Sequence, residues 1–177
     1  MIQVILGLGS NTSYKGTPPA VLLGSACAQL KKVLLSCVFS SVYRTKAMYV
    51  TGQNDFYNMC VRGFAEESVT PHSLLDTVHH IEALYGRDRD HELRFGPRPL
   101  DIDIELFGEM MVNDSALQIP HPRMHERAFV LIPLLEILSD SADADMRNIY
   151  TAYLKRLPDQ GVQMYLPAKD FCIPCEV

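Results

Sequence analysis

Apolar residues recur at two spacings along this chain, and the points where the spacing changes outline its elements. Residues 2–8 form an apolar run, which predicts a buried strand ending in Gly7-Leu8-Gly9-Ser10-Asn11. Thr17-Pro18 reads as a cap and first turn for a helix over 20–35, with Lys31 and Lys32 late, where the helix dipole favours cations. Residues 37–45 and 56–64 read as strands, separated by a mobile loop of mixed polarity over 46–55. Thr70-Pro71 opens a second helix that Gly86 ends, with Leu74, Leu75, Val78, Ile81 and Leu84 recurring every three or four residues. Over 100–106 the alternation is strict: Leu100, Ile102, Ile104 and Leu106 are expected to face a core, and Asp101, Asp103 and Glu105 the opposite side. Gly108-Glu109 predicts a turn into Met110-Met111-Val112 as that strand's hairpin partner. Residues 125–138 are helical in pattern, with a kink or split at Pro133. A last helix over 145–157 and a late strand over 161–166 follow. The order β-α-β-β-α-β over 2–107 predicts an α+β fold with a ferredoxin-like core and additional helices packed on the sheet. One domain over 1–167 is expected, with a C-terminal tail over 168–177.

Composition narrows the classes. At 177 residues and 47% apolar, the chain can bury a core without staples. No stretch approaches the roughly 20 apolar residues of a membrane span. The start, Met1 to Leu6, lacks the basic region of a signal peptide. Five cysteines at 27, 37, 60, 172 and 175 are odd in number and scattered, unlike a disulfide framework. Cys172-Ile173-Pro174-Cys175 has no second pair with which to hold zinc. A reduced, cytoplasmic protein with no membrane partner is expected. The net charge of −5 argues against nucleic acid, which favours a broad basic surface.

Against that acidic background, four of the ten arginines (Arg87, Arg89, Arg94 and Arg98) fall within twelve residues. They directly precede Asp101 and Asp103. Carboxylates two apart on a strand lie roughly 6.5–7 Å apart at the backbone, close enough to share one Mg²⁺ or a pair. Guanidinium groups beside them suit phosphate oxygens. An ordinary alternating strand with surface ion pairs accounts for the same residues. Phe56 and Asn58 share a strand face, and an aromatic ring beside a carboxamide suits a flat heterocycle as well as it suits a core. Gly7 and Gly9 lack the third glycine of a dinucleotide fingerprint, and no P-loop occurs, so they read as a tight turn. His121 and His125 are four apart, but Pro122 and the missing Glu disfavour a zinc pair, and Arg127 and Phe129 nearby suit a phosphate or ring contact. Glu82 is expected to be solvated or in contact with ligand.

Arg94-Phe95-Gly96-Pro97-Arg98-Pro99-Leu100-Asp101-Ile102-Asp103 resembles the signature of the 6-hydroxymethyl-7,8-dihydropterin pyrophosphokinases of folate biosynthesis. Gly9-Ser10-Asn11, Tyr43-Arg44-Thr45, Phe56-Tyr57-Asn58, Ile81-Glu82, Gly86-Arg87, Arg89, Pro120-His121, Arg127, Phe129 and Pro133-Leu134 extend the resemblance, in order, over residues 5 to 138. The resemblance implies transfer of the terminal diphosphate of ATP to the pterin hydroxymethyl oxygen, releasing AMP. It implies that Asp101 and Asp103 hold two Mg²⁺ ions and that Arg87 and Arg98 neutralise the transferred group. Glu82, Arg89, Arg98, Ile104 through its backbone, and His121 would serve ATP. Thr45, Met48, Phe56, Asn58, Phe95 and Phe129 would serve the pterin, with Phe56 and Phe129 sandwiching its ring. Loops 46–55 and 87–99 would close over the reactants. A monomer acting on small molecules alone is expected.

The chain departs from the family's usual pattern at several positions. Phe95 stands where many members carry Trp, Lys46-Ala47 where Pro-Pro is common, and Phe56 where Tyr is common. One extra residue lies between Arg89 and Phe95, and Ala116 falls where some members have an Arg that contacts ATP. The metal-binding and phosphate-binding types are all retained.

Overall fold

A computed structural model describes residues 1–47, 52–89 and 96–174. Its centre is an antiparallel sheet in the order β5-β1-β4-β3-β8, with β2 also paired to β4. The strands are β1 (Ile2–Ser10), β2 (Leu35–Phe39), β3 (Val42–Thr45), β4 (Phe56–Ala65), β5 (Asp101–Phe107) and β8 (Gln163–Leu166). Among the described residues four α-helices accompany it: α1 (Pro19–Val33), α2 (Pro71–Leu84), α3 (Ala128–Ile137) and α4 (Ala144–Leu154). The longest has 15 residues, so among the described residues no helix is long and apolar enough to cross a membrane.

Each face of the sheet has its own core. Val4, Leu6, Leu8, Met59, Val61, Ile102 and Ile104 pack against Leu23, Ala26 and Leu30 of α1 and Leu74, Val78 and Ile81 of α2. Ile5, Cys60 and Leu106 pack on the other face against Val130, Leu131, Leu134 and Ile137 of α3 and Tyr150 of α4. Thr70 starts α2 with reciprocal bonds: its hydroxyl accepts from the Ser73 amide at 3.1 Å, and its own amide donates to Ser73 Oγ at 2.9 Å. Gly86 ends that helix region at φ +87°, with the Tyr14 ring occupying the space a side chain would need.

Four expectations are corrected here. Gly7 and Gly9 do not make a tight turn; β1 runs straight through them to Ser10. The 37–45 strand is two strands, broken at Ser40-Ser41. Val112–Asn113 (β6) pairs with Gln118–Ile119 (β7) and not with β5. The 125–138 segment does not divide at Pro133, through which α3 runs. The break falls at Arg127, whose extended backbone (φ −118°, ψ 101°) separates a 3-10 turn, Met124–Glu126, from α3.

A fifth correction concerns β5. Between Ile5 and Leu6 the pairing of β1 with β5 shifts: Leu6 faces Ile104 while Ile5 faces Leu106. Glu105 is the extra residue of a bulge. Leu106 therefore packs with α3 on the second face and Phe107 with the first core, the reverse of strict alternation. Of the expected tail, Phe171 and Ile173 pack against the first core, and the Cys172 carbonyl lies against Gly24 of α1.

Candidate active site

At one end of the sheet, on the α3 side, lies a cleft of about 240 Å³ lined by Phe56, Asn58, Arg87, Asp101, Asp103 and Phe129 among others. Its floor is β1. Gly9 stands opposite Asp101 and Gly7 opposite Asp103, so no side chain rises beside the two carboxylates. A Cβ on Gly7 would lie 2.7 Å from Glu105 Oε1, and one on Gly9 3.2 Å from Asn58 Oδ1. Space, rather than a turn, is what these glycines supply.

Beside this floor the acids and guanidinium groups interlock. Arg87 donates to both Glu82 Oε1 and Asp101 Oδ1, and Arg98 donates to Asp101 Oδ2 at 3.0 Å. Arg89 pairs with Glu82 Oε2 through two nitrogens. Arg127, from the extended residue before α3, lies 3.7 Å from Asp103 Oδ2 and 5.6 Å from the Phe129 ring centre. Glu82 is fully buried and accepts the Ile102 amide at 2.7 Å. It lines neither this cleft nor the second cavity described below. Expected on the nucleotide surface, Glu82 sits instead behind Arg87 and Arg89 as their anchor. Its place on the apolar stripe of α2, one residue after Ile81, accounts for the burial.

The two aspartates have different electrostatics. Burial would raise Asp101, but the Arg87 and Arg98 charges outweigh it and hold the carboxyl below its ordinary range. Asp103 is pushed up to about 7, first by burial and then by the neighbouring Asp101 charge, against the weaker pull of Arg127. Burial, then Asp103, pushes Glu105 well up, and both its carboxyl oxygens are buried without a hydrogen-bond partner among the described residues. His121 lies 3.8 Å from Glu105, yet burial and the Arg127 charge push it down to about 4, away from the charged form an ion pair would need.

A second cavity, of about 520 Å³, opens along the outer edge of β5 between α2 and the β6-β7 hairpin. Leu75, Ile104, Ala116 and Leu117 line it, and it shares Arg89, Asp103 and His121 with the first. Two chambers thus meet at one group of charges.

Arg87, Arg89, Arg98, Asp101, Asp103, Thr45, Phe56, Asn58, His121 and Phe129 all line the first cleft, and Ile104 lines the second. Asn58 donates to Thr45 Oγ1 at 3.0 Å, which fixes both on one wall. Met48, Arg94 and Phe95 lie outside the described residues, as do parts of loops 46–55 and 87–99. The sequence reading did not assign Glu105 or the two floor glycines to the site. Only the Asp-type face of β5 pointed to Glu105, and only structure shows that Gly7 and Gly9 face the aspartates.

The model of the 7,8-dihydro-6-hydroxymethylpterin-pyrophosphokinase (HPPK) family matches residues 5–139. The chain is 36% identical over 148 residues to the Bacillus subtilis 2-amino-4-hydroxy-6-hydroxymethyldihydropteridine pyrophosphokinase, covering 80% of this chain and 83% of that protein. It is 41% identical over 147 residues to the Pisum sativum mitochondrial folate synthesis bifunctional protein, covering 81% of this chain but 26% of that one. It thus spans about a quarter of the length of the plant bifunctional relatives it matches. Among solved structures, Plasmodium falciparum HPPK-DHPS aligns with a TM-score of 0.60 at 14% identity, over 87% of this chain and 45% of that one, which supports the fold alone.

Proposed function

The chain belongs to the HPPK family, and from that premise we propose that it transfers diphosphate from ATP to 6-hydroxymethyl-7,8-dihydropterin in folate biosynthesis. The observation that carries this reading is the meeting of two chambers at Asp103, Arg89 and His121, with an aromatic wall at the end of the first. In the proposed reaction the hydroxymethyl oxygen bonds to the β-phosphorus of ATP. The bond from that phosphorus to the α-bridging oxygen breaks, AMP leaves with the oxygen, and the hydroxyl proton passes to water.

The donor set suits magnesium. Asp103 carries a charge that burial and Asp101 disfavour, which a cation would relieve. Among the described residues no three His, Cys, Asp or Glu converge as a cage. That fits Mg²⁺, which takes one or two carboxylates and completes its shell with water and phosphate oxygens. Asp101 and Asp103 would hold two such ions, whose chemistry is to neutralise the entering and leaving oxygens. The chain's own part is to bind and orient. Arg87 and Arg98, held beside Asp101, would bind the phosphate oxygens. Arg89, His121 and the Ile104 backbone would hold the nucleotide. Neutral His121 accepts the Arg123 amide at Nδ1, 3.3 Å, which leaves Nε2 as its donor.

Phe56 and Phe129 would stack on the pterin, while Asn58 and the Thr45 backbone would meet its edge. Phe56→Ala is expected to weaken pterin binding by the roughly 1–3 kcal/mol of a lost heterocycle stack, with MgATP binding within about twofold of the parent. Calorimetric titration of each ligand checks this, and equal losses for both would sink the sandwich. All these groups come from one chain, so a monomer suffices. The free Cys27, Cys37, Cys60 and Cys172 support a reducing, cytoplasmic setting. The strand order supports the ferredoxin-like reading of the core.

The test is to supply MgATP with and without the pterin and identify the nucleotide product. Pterin-dependent AMP is the expected result. ADP would mean single phosphoryl transfer, and no turnover by folded protein would point to a different acceptor or to a binding module.

A further inference from the structure

Glu105 is an acid that the reaction proposed above does not use. It lines the first cleft, yet it is wholly buried, and among the described residues neither carboxyl oxygen has a hydrogen-bond partner. Buried polar groups are normally satisfied, so two orphaned oxygens on one side chain mark a place for hydrogen-bond donors. His121 is not that donor. Its Nδ1, 3.8 Å from Glu105 Oε2, accepts the Arg123 amide and has no proton to give. The backbone aims the side chain. Glu105 is the unpaired residue of the bulge between β1 and β5, and a bulge redirects the side chain it carries. Its Oε1 comes within 2.7 Å of where a Cβ on Gly7 would stand, and Gly7 is the residue opposite Asp103 in the strand pair. The carboxyl end of Glu105 therefore reaches back along β5, over the floor strand, to the level of Asp103.

We infer that Glu105 is a positioning residue for the metal centre, accepting hydrogen bonds from water on the ion that Asp103 would hold and so strengthening metal binding. This rests on the metal reading proposed above. Mg²⁺ keeps several of its waters where a protein supplies only one or two carboxylates. Those waters are donors, and in a cleft shielded from bulk solvent they need acceptors. Glu105 offers two free acceptor oxygens on the floor side of Asp103. Direct ligation is not its role, because among the described residues no three His, Cys, Asp or Glu converge as a cage. An acceptor behind the direct ligands acts by orienting what the ion carries, and losing one typically weakens metal affinity roughly 10- to 100-fold. The same arrangement has a cost in the metal-free chain, where both oxygens stay unpaired in the interior. Glu105 thus works against the fold without metal and for it with metal.

Mn²⁺, which suits the same carboxylate and water ligands, serves as the probe. The unbound ion is read from its paramagnetic resonance signal as it is titrated into the full chain. Glu105→Leu is expected to weaken Mn²⁺ binding about tenfold or more. The same variant should raise the thermal midpoint in EDTA by about 3 °C or more, because an unpaired buried acid is gone. A merely structural Glu105 would not move these two readouts in opposite directions. Glu105→Gln keeps an acceptor of the same length without the charge, so its Mn²⁺ affinity should lie between those of the parent and the leucine variant. Unchanged Mn²⁺ affinity in Glu105→Leu overturns the inference. Equal losses in both variants also overturn it, since charge alone would then account for them. A lower metal-free midpoint for Glu105→Leu, or failure of that variant to fold, overturns it as well, by giving Glu105 a partner within the protein. These outcomes differ from failure of the reading on which the inference rests, in which the parent itself holds no Mn²⁺ and makes no pterin-dependent AMP.

Discussion

Asp103→Asn is expected to lower pterin-dependent AMP formation by about three orders of magnitude or more, yet to raise the thermal midpoint of the metal-free protein at pH 8. The loss follows from removing one of two carboxylates that would hold the metal, worth several kcal/mol in the transition state. The gain follows from the charge. Asp103 titrates near 7 in the folded chain, whereas an unfolded aspartate titrates near about 3.9. Between those values the folded state holds a proton that the unfolded state has lost, so stability falls as pH rises through about 4 to 7 and is flat above. Asparagine has no such penalty. Its advantage should be full above pH 7 and should vanish below about pH 4. Asp101→Ala is the contrast: the same activity collapse, but a lower midpoint at pH 8, because Asp101 sits below its ordinary range between Arg87 and Arg98. Scanning calorimetry in EDTA at pH 4 and pH 8 reads both. Undiminished turnover in either variant would remove that carboxylate from the mechanism. A lower midpoint for Asp103→Asn at pH 8 would remove the charge strain.

Opposed effects from neighbouring aspartates could not be read from the sequence, although the pair itself could. Alternation over 100–104 placed Asp101 and Asp103 on one face, and the arginine cluster beside them marked an anionic ligand. What decided their difference was a neighbour far away in sequence or on another loop: Arg87 and Arg98 hydrogen-bond Asp101, while among the described residues Asp103 pairs with the more distant Arg127, at 3.7 Å. Local pattern also failed one residue further on. Nothing in Ile104-Glu105-Leu106 announces a bulge, because the extra residue is set by how β5 registers on β1. The glycines illustrate the same limit. Read locally, Gly7-Leu8-Gly9 means a turn; across the strand pair, each glycine faces an aspartate. By contrast, α1, α2 and the strands β1 and β4 were legible one by one, since their apolar patterns match the faces they bury, whereas the pairing of β1 with β4 was not read from the sequence. Helix α3 was legible in type but not in start, because the extended Arg127 is fixed by its place beside the cleft and not by propensity.

Glu82→Ala is expected to cost the fold about 3–5 kcal/mol, which for a chain of this size lowers the midpoint by roughly 6–20 °C. Its carboxylate is fully buried and accepts from Arg87, Arg89 and the Ile102 amide together. Removing it leaves a buried amide unpaired and two guanidinium groups short of a partner, and a broken buried pair is worse than none. The Ile102 amide points outward from β5, which is the end strand of the sheet, so Glu82 also closes that edge. Activity should fall with stability, because Arg87 loses the anchor that keeps it beside Asp101. Glu82→Gln discriminates this role from a direct contact with nucleotide. Glutamine retains an acceptor for the Ile102 amide but not the charge for two arginines, so it should recover part of the midpoint and little of the activity. Were Glu82 a direct ATP contact, the glutamine variant would lose nucleotide affinity at an unchanged midpoint. Denaturation and MgATP titration of the two variants separate the cases, and an unshifted midpoint for Glu82→Ala would end the anchor assignment.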